Sequence, residues 1–190
     1  MSVFLQWCGG IFYLLNKIFF SFMERGKNGG TKKSWRILSW IVYIVGLPAW
    51  AVIFIIERNW IAASLELGGL PSMALGLTVA FKNDFRELPK WLNYLALACV
   101  ALGTAYSLYD FGGLTTLNQF LEFGLTAGYL IGTYLLAKKH SSGYLWFIIM
   151  NVFCGWLMWI EHYPWLALQQ AVSLGFIVDA FLMERKSRTI

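Results

Sequence analysis

The 190-residue chain is 58% apolar, 18% aromatic and only 13% charged, with a formal net charge of +5 and a mean hydropathy of +0.59. Soluble domains carry about 25% charged residues, and here the apolar residues fall in long runs rather than alternating patterns, which argues against a soluble fold and for the membrane class. The basic residues sit at the ends of those runs instead of striping one face between aromatics, which argues against nucleic-acid binding.

A membrane-crossing helix needs about 20 mostly apolar residues. The first such run, 3–23, has no basic lead-in and no small-residue cleavage site, so it reads as a retained helix and not a signal peptide. It carries Gln6, Gly9, Gly10, Tyr13, Asn16 and Lys17. Lys17 is expected either to snorkel to the inner end or to pair with Glu66 or Glu122. The glycine-rich basic stretch "ERGKNGGTKKS" (24–34) leads to the second run, 35–56, which contains Pro48. The third, 60–81, holds Glu66 in "SLELGGLPS", where two glycines and Pro71 predict a break or kink. "KNDFRELPK" (82–90) precedes the fourth run, 91–109, and "DFGG" (110–113) reads as a tight turn.

The fifth run, 115–137, gives the clearest polar face. Asn118, Glu122, Thr126, Tyr129 and Thr133 recur at helical spacing, with Phe120, Leu121, Leu125 and Ile131 expected to point away. A carboxylate within such a run faces a cavity or a partner, because hydrocarbon does not solvate it. "KKHSSG" (138–143) then opens the sixth run, 143–161, with Asn151 at its middle and Trp156 and Trp159 towards its far end. An amide donates and accepts at once, and an indole offers a stacking or cation–π face. The seventh run, 164–183, has Gln169 and Ser173 on one face and Gln170 about 100° away. One glutamine is expected to line a cavity and the other to pack. Asp179 reads as an interfacial residue.

Several wider patterns follow. Trp7, Trp35, Trp60, Trp91, Trp146 and Trp165 fall near run ends, where amphipathic rings prefer the interface. All the basic residues except Lys17 and Arg58 lie in the first, third and fifth loops or the tail. That asymmetry predicts a multi-pass protein of the cell membrane, N-terminus outside and C-terminus cytoplasmic. "VIFIIERNWIAAS" (52–64) resembles "WLMWIEHYPWLAL" (156–168): in each a helix ends in Ile-Glu, a short turn follows, and Trp opens the next helix. The expected fold class is therefore an all-α membrane protein of seven transmembrane helices in a 3+1+3 parallel-repeat layout. Residues 1–81 form the first three-helix repeat, 82–113 the linking fourth helix, and 114–190 the second repeat. Solute sites in such folds lie at the repeat interface near mid-membrane.

The chemistry expected is binding, not catalysis. Cys8, Cys99 and Cys154 lie far apart without a C-x-x-C pattern, and His140 and His162 are expected on opposite sides of the membrane. No hydrolase or P-loop signature is present. Neither a metal nor a cofactor is implied. Candidate substrate-binding residues are Asn151, Glu122, Gln169, Asn118, Trp156, Thr126, Glu66 and Gln170. The reading is a facilitative uniporter for a small ring-bearing metabolite, with the lipid bilayer as the other partner. A cation channel or proton-coupled carrier using Glu122 and Glu66, and a non-transporting membrane scaffold, stay open as alternatives.

The layout and the cadence of "LLAKKHSSGYLWFIIMNVFCGWLMWIEHYPWLALQQAVSLGFIVDAFLMERK" resemble the PnuC-type vitamin transporters, within the wider SWEET-like superfamily. A basic loop leads to Trp146, then come the mid-helix Asn151, a short outer turn and a last helix with a basic tail. The Pro-Gln pair of SWEET-type helices is absent from the first and fifth runs, and the intrahelical prolines are Pro48 and Pro71 instead. The resemblance implies facilitated diffusion of nicotinamide riboside, thiamine or riboflavin-like solutes, trapping by a cytoplasmic kinase, and a homotrimer.

Overall fold

The computed structural model describes residues 3–25, 29–82, 89–137 and 141–189. They form seven helices and, among the described residues, no strand: α1 (Val3–Arg25), α2 (Gly29–Ile56), α3 (Trp60–Lys82), α4 (Lys90–Phe111), α5 (Leu117–Ala137), α6 (Ser142–Ile160) and α7 (Pro164–Thr189). Each apolar run of the sequence becomes one helix. Five are long and apolar enough to cross a membrane, as in a multi-pass membrane protein: Val3–Met23, Lys33–Ile56, Lys90–Phe111, Ser142–Ile160 and Pro164–Arg185. The other two, α3 and α5, carry Glu66 and Glu122. Most of the basic connections lie outside the described residues, including Lys27, Arg86, Lys138, Lys139 and the neighbouring His140.

The break expected at Gly68, Gly69 and Pro71 does not occur. α3 runs unbroken from Trp60 to Lys82, as α2 does through Pro48. An interior proline removes one backbone hydrogen bond without ending the helix here, and both helices pack against neighbours along the bundle. Of "DFGG", Asp110 and Phe111 stay in α4 and the two glycines make the turn. Gly112 adopts φ 69° and Gly113 φ 126°, backbone states that glycine enters without steric cost. Thr116 then caps α5. Its Oγ1 accepts from the Gln119 N–H at 3.3 Å, and Gln119 Oε1 accepts from the Thr116 N–H at 3.1 Å. That reciprocal pair is a capping box, and it moves the start of α5 to Leu117. The Gln119 amide also donates to Ser107 Oγ and to the Gly113 carbonyl, at 3.0 and 3.1 Å, tying α5 to α4.

Packing follows a simple order. α1 lies against α2 and α7, α2 against α3, α5 against α6, and α6 against α7. α4 packs on α3, and α3 also meets α5 over a smaller area. Trp50, Phe54, Ile53, Leu157, Met158 and Leu166 fill the middle. Gly124, Gly128 and Gly132 line the face of α5 that meets α6. A Cβ at Gly128 would stand 2.8 Å from the Met150 nitrogen and the Trp146 carbonyl oxygen. The two backbones touch there, as small-residue stripes permit between membrane helices. This crossing rotates α5 so that Leu121 and Leu125, expected to point away from the polar stripe, are buried beside it, while Phe120 and Ile131 stay exposed.

The turns after α2 and α6 match bond for bond. Glu57, Arg58 and Asn59 donate their N–H groups to Ile53, Ile55 and Phe54; Glu161, His162 and Tyr163 donate to Leu157, Trp159 and Met158. Ala63 donates to Asn59 as Ala167 does to Tyr163. Arg58 and His162 both enter the left-handed region, at φ 60° and 62°. Similarity between "IIERNW" and "WIEHYPW" is thus also similarity of backbone.

Candidate functional site

Two polar centres stand inside this apolar bundle. The first is a central cavity walled by residues of α1, α2, α3, α5, α6 and α7, among them Tyr13, Lys17, Tyr43, Trp50, Glu66, Tyr129, Gln169 and Gln170. Five aromatic rings, those of Tyr13, Tyr43, Trp50, Phe54 and Tyr129, form part of its wall. The Tyr13 ring lies 4.7 Å from Tyr43 and 5.2 Å from Trp50, centroid to centroid. The Trp50 indole N–H is held by the Gly9 carbonyl at 3.1 Å. Tyr13 Oη donates to Glu66 Oε2 at 2.6 Å, fixing the carboxyl from the opposite wall. A space of about 30 Å³ remains for the centres of water molecules, enough for one or two waters. In this conformation the cavity is closed to a ring.

Lys17 neither snorkels nor meets Glu122. It is 9% exposed and shares the cavity with Glu66, making no salt bridge among the described residues. Its ammonium lies 5.2 Å from the Phe147 ring centroid and 5.8 Å from that of Tyr43. The same side chain borders a second, smaller cavity with Phe20, Tyr144, Phe147 and Phe176. Lys17 therefore stands between the two spaces.

The second centre lies where the turns meet. Glu122 is 1% exposed, and its Oε2 accepts the N–H groups of Ile61 and Ala62 at 2.8 and 3.0 Å. The carboxyl thus closes the N-terminus of α3, whose first N–H groups lack helical partners. Glu161 Oε1 accepts from Asn59 Nδ2 at 2.6 Å and from Asn118 Nδ2 at 3.0 Å. Tyr163 Oη donates to Glu57 Oε1. Arg58 is turned aside to Asp110, which also accepts from the Trp60 indole at 2.8 Å. Burial pushes the Glu161 carboxyl up to about 8, Glu57 and Glu122 add to the rise, and the Asn59 and Asn118 amides oppose it. Burial likewise raises the Tyr163 phenol, helped by its bond to Glu57. At the opposite end, Asp179 joins Arg25 and Ser21 of α1 to α7.

The expected residues divide between these centres. Glu66, Gln169 and Gln170 line the cavity. Both glutamines reach it, although their spacing predicts only one, and the Gln169 amide donates to Ser173 Oγ at 2.6 Å. Asn118 and Glu122 belong to the turn centre, and Thr126 is buried below them with its hydroxyl unpartnered. The side chain of Thr133 lies outside the described residues. Asn151 is not on the cavity wall. It is 2% exposed, and its amide donates to the Phe147 carbonyl of its own helix at 2.7 Å, leaving Oδ1 without a partner. Its neighbours Met150 and Cys154 line the cavity instead. Trp156 is 56% exposed and, like Trp159, faces outward from the bundle. Sequence reasoning passed over Glu57, Asn59, Glu161 and Tyr163 as site residues. Their signal was present in the two matching Ile-Glu turns. Among the described residues no group of His, Cys, Asp or Glu side chains is arranged to hold a metal ion. No family model matches this chain, and no curated protein or solved structure matches it either.

Proposed function

We propose that this protein is a facilitative membrane transporter for a small ring-bearing solute of the vitamin or nucleoside kind. In this reading all seven helices cross the bilayer, α1–α3 and α5–α7 are parallel repeats, and α4 restores the direction of the chain. The turn end faces outward. The observation that carries the reading is the position of the aromatic cavity, which takes wall residues from both three-helix units. The bond-for-bond match of the turns after α2 and α6 supports descent of the two units from one plan. Tyr13, Tyr43, Trp50 and Tyr129 offer faces for a planar ring. Glu66, Lys17 and the two glutamines offer the few polar contacts that orient such a ligand. The PnuC-type resemblance narrows the first solutes to try. The small volume of the cavity fits a transporter closed around its site, which must part at one end to admit a ring.

The test is uptake of labelled nicotinamide riboside, thiamine and riboflavin into vesicles holding the purified protein, with and without an imposed proton gradient. Saturable equilibration of one of them without a gradient is the expected result. Flux that appears only under the gradient replaces uniport by proton coupling through Glu66 and Lys17. Flux no greater than in protein-free vesicles removes this solute class.

A further inference from the structure

The matched turns also bind each other. Glu57 and Glu161 occupy the same place in the two turns, as do Asn59 and Tyr163. Each carboxylate accepts from the residue two places further along the opposite turn: Glu57 from Tyr163, and Glu161 from Asn59. A surface here meets its own counterpart, as across a two-fold axis. This clasp joins the two three-helix units directly above the cavity they share.

The clasp is short of positive charge. Glu161 faces Glu57 from the turn after α2, Glu122 from α5, and Tyr163 in its own turn. Arg58 is committed to Asp110 at the end of α4, and His162 points into the surroundings. Two carboxylate oxygens, Glu161 Oε2 and Glu122 Oε1, are buried without any partner. Asn118, which donates to Glu161, stands one helical turn before Glu122 on the same face of α5, and Glu122 adds to the rise of the Glu161 carboxyl. Buried carboxylates so placed do not all ionise.

We propose that the clasp is a proton-binding site that gates the turn end: Glu161 takes one proton from the solution at that end as the units close and returns it to the same solution as they part. The proton is not carried across the membrane, so the device regulates access and leaves uniport intact. The proposal rests on the transporter reading above. In the closed clasp the Glu161 carboxyl is held up to about 8; once water reaches it, the group returns towards the ordinary carboxyl range of about 4. Between these limits the closed state holds a proton that the open state lacks. The closed form is fully favoured below the lower limit. Its ratio to the open form falls by up to about tenfold per pH unit until the upper limit is passed. Tyr163 does not supply this switch, because its phenol is raised and stays protonated throughout.

Ile55 and Trp159 hold equivalent, exposed positions at the ends of α2 and α6. Spin labels on cysteines at these positions, in the full chain with Cys8, Cys99 and Cys154 replaced by serine, report the width of the clasp by pulsed electron paramagnetic resonance in lipid vesicles. From about pH 5.5 to about pH 8.5 a longer-distance population should grow at the expense of a single short one. Glu161→Gln, which keeps the acceptor oxygen and cannot ionise, should hold the short distance at every pH. His162→Asn should leave the pH response unchanged. Should Glu161→Gln fail to fold, Tyr163→Phe serves instead: it weakens the clasp without touching Glu161, and should move opening to lower pH with equal steepness. Loss of that steepness, abolition of the response by His162→Asn, or a Glu161→Gln protein that opens like the wild type each overturns the proposal. Opening to the same extent at every pH overturns the proton site and leaves the two-unit transporter standing. One fixed distance at every pH, with and without the solute that the uptake assay identifies, overturns both.

Discussion

Removing the Glu122 carboxyl should detach the start of α3 from α5. The first N–H groups of a helix have no partner within it, and two of those in α3 donate to Glu122 Oε2. Ile61 and Ala62 are themselves fully buried, so water does not replace the lost acceptor. Glu122→Ala leaves two buried donors unpaired, at about 1–2 kcal/mol each, a total of about 2–4 kcal/mol. Glu122→Gln keeps an acceptor oxygen of the same reach and should cost about 1 kcal/mol. For a chain of this size each kcal/mol moves the unfolding midpoint by about 2–4 °C. The alanine variant should therefore unfold about 5–15 °C below the wild type and the glutamine variant about 2–4 °C below it. Tryptophan fluorescence and circular dichroism during heating in mild detergent measure both. Lys17→Met should not rescue either variant, since Lys17 stands in the cavity and not beside Glu122. An alanine variant as stable as the wild type, or equal losses from alanine and glutamine, would refute the argument that this carboxyl closes the helix.

Gly128→Ala should cost about 2 kcal/mol or more, because its Cβ meets the backbone of α6, whereas Gly175→Ala, with nothing within 4 Å, should be neutral or gain up to about 1 kcal/mol; detergent unfolding of the two compared with wild type checks this. Stability should also fall with pH on account of Glu161. Its carboxyl sits at about 8 in the folded protein, above the unfolded value of about 4, so its contribution is complete below the lower value and is lost as pH rises through the upper one. Midpoints measured across that window should drop in the wild type and stay flatter in Glu161→Gln. Leu114→Cys, in the exposed turn between α4 and α5, should react with an impermeant thiol reagent from outside the cell, and Ser141→Cys, before α6, should not.

The helices were legible because hydrocarbon leaves a blunt trace: a run of about 20 apolar residues has few other uses. Their ends moved only where a local device intervened, as when Thr116 and Gln119 closed a capping box that delayed α5. Periodicity placed Asn118, Glu122 and Thr126 on one inward face, but it gave no rotation about the helix axis. The glycine stripe on α5 set that rotation, and it buried Leu121 and Leu125 as well. Asn151 looked like a ligand because an amide in mid-helix is costly; the structure meets half of that cost within α6, through the Phe147 carbonyl. Glu57 and Glu161 looked like ordinary helix ends. Their importance comes from a contact between residues more than a hundred positions apart, which composition and spacing do not encode. Tyr43 and Trp50 gave no sign for the opposite reason: an aromatic in an apolar run carries no mark of whether it faces lipid, core or cavity.

The brevity of the turns after α2 and α6 also bears on the order in which the chain assembles. A reversal of about three residues leaves the two flanking helices no register but the adjacent antiparallel one. The pairs α2–α3 and α6–α7 can therefore form as hairpins with no search along the chain. Contacts of such short sequence separation are the quick ones. The slow step falls elsewhere. α1 is covered on one side by α7, and Ser21 and Arg25 wait for Asp179 across more than 150 residues. Until the last helix arrives, the side of α1 that α7 covers has no helix against it. Ring closure by the final helix is thus what seals the bundle, and a ribosome halted after α6 would leave an open arc of helices, exposed for quality-control proteases to find.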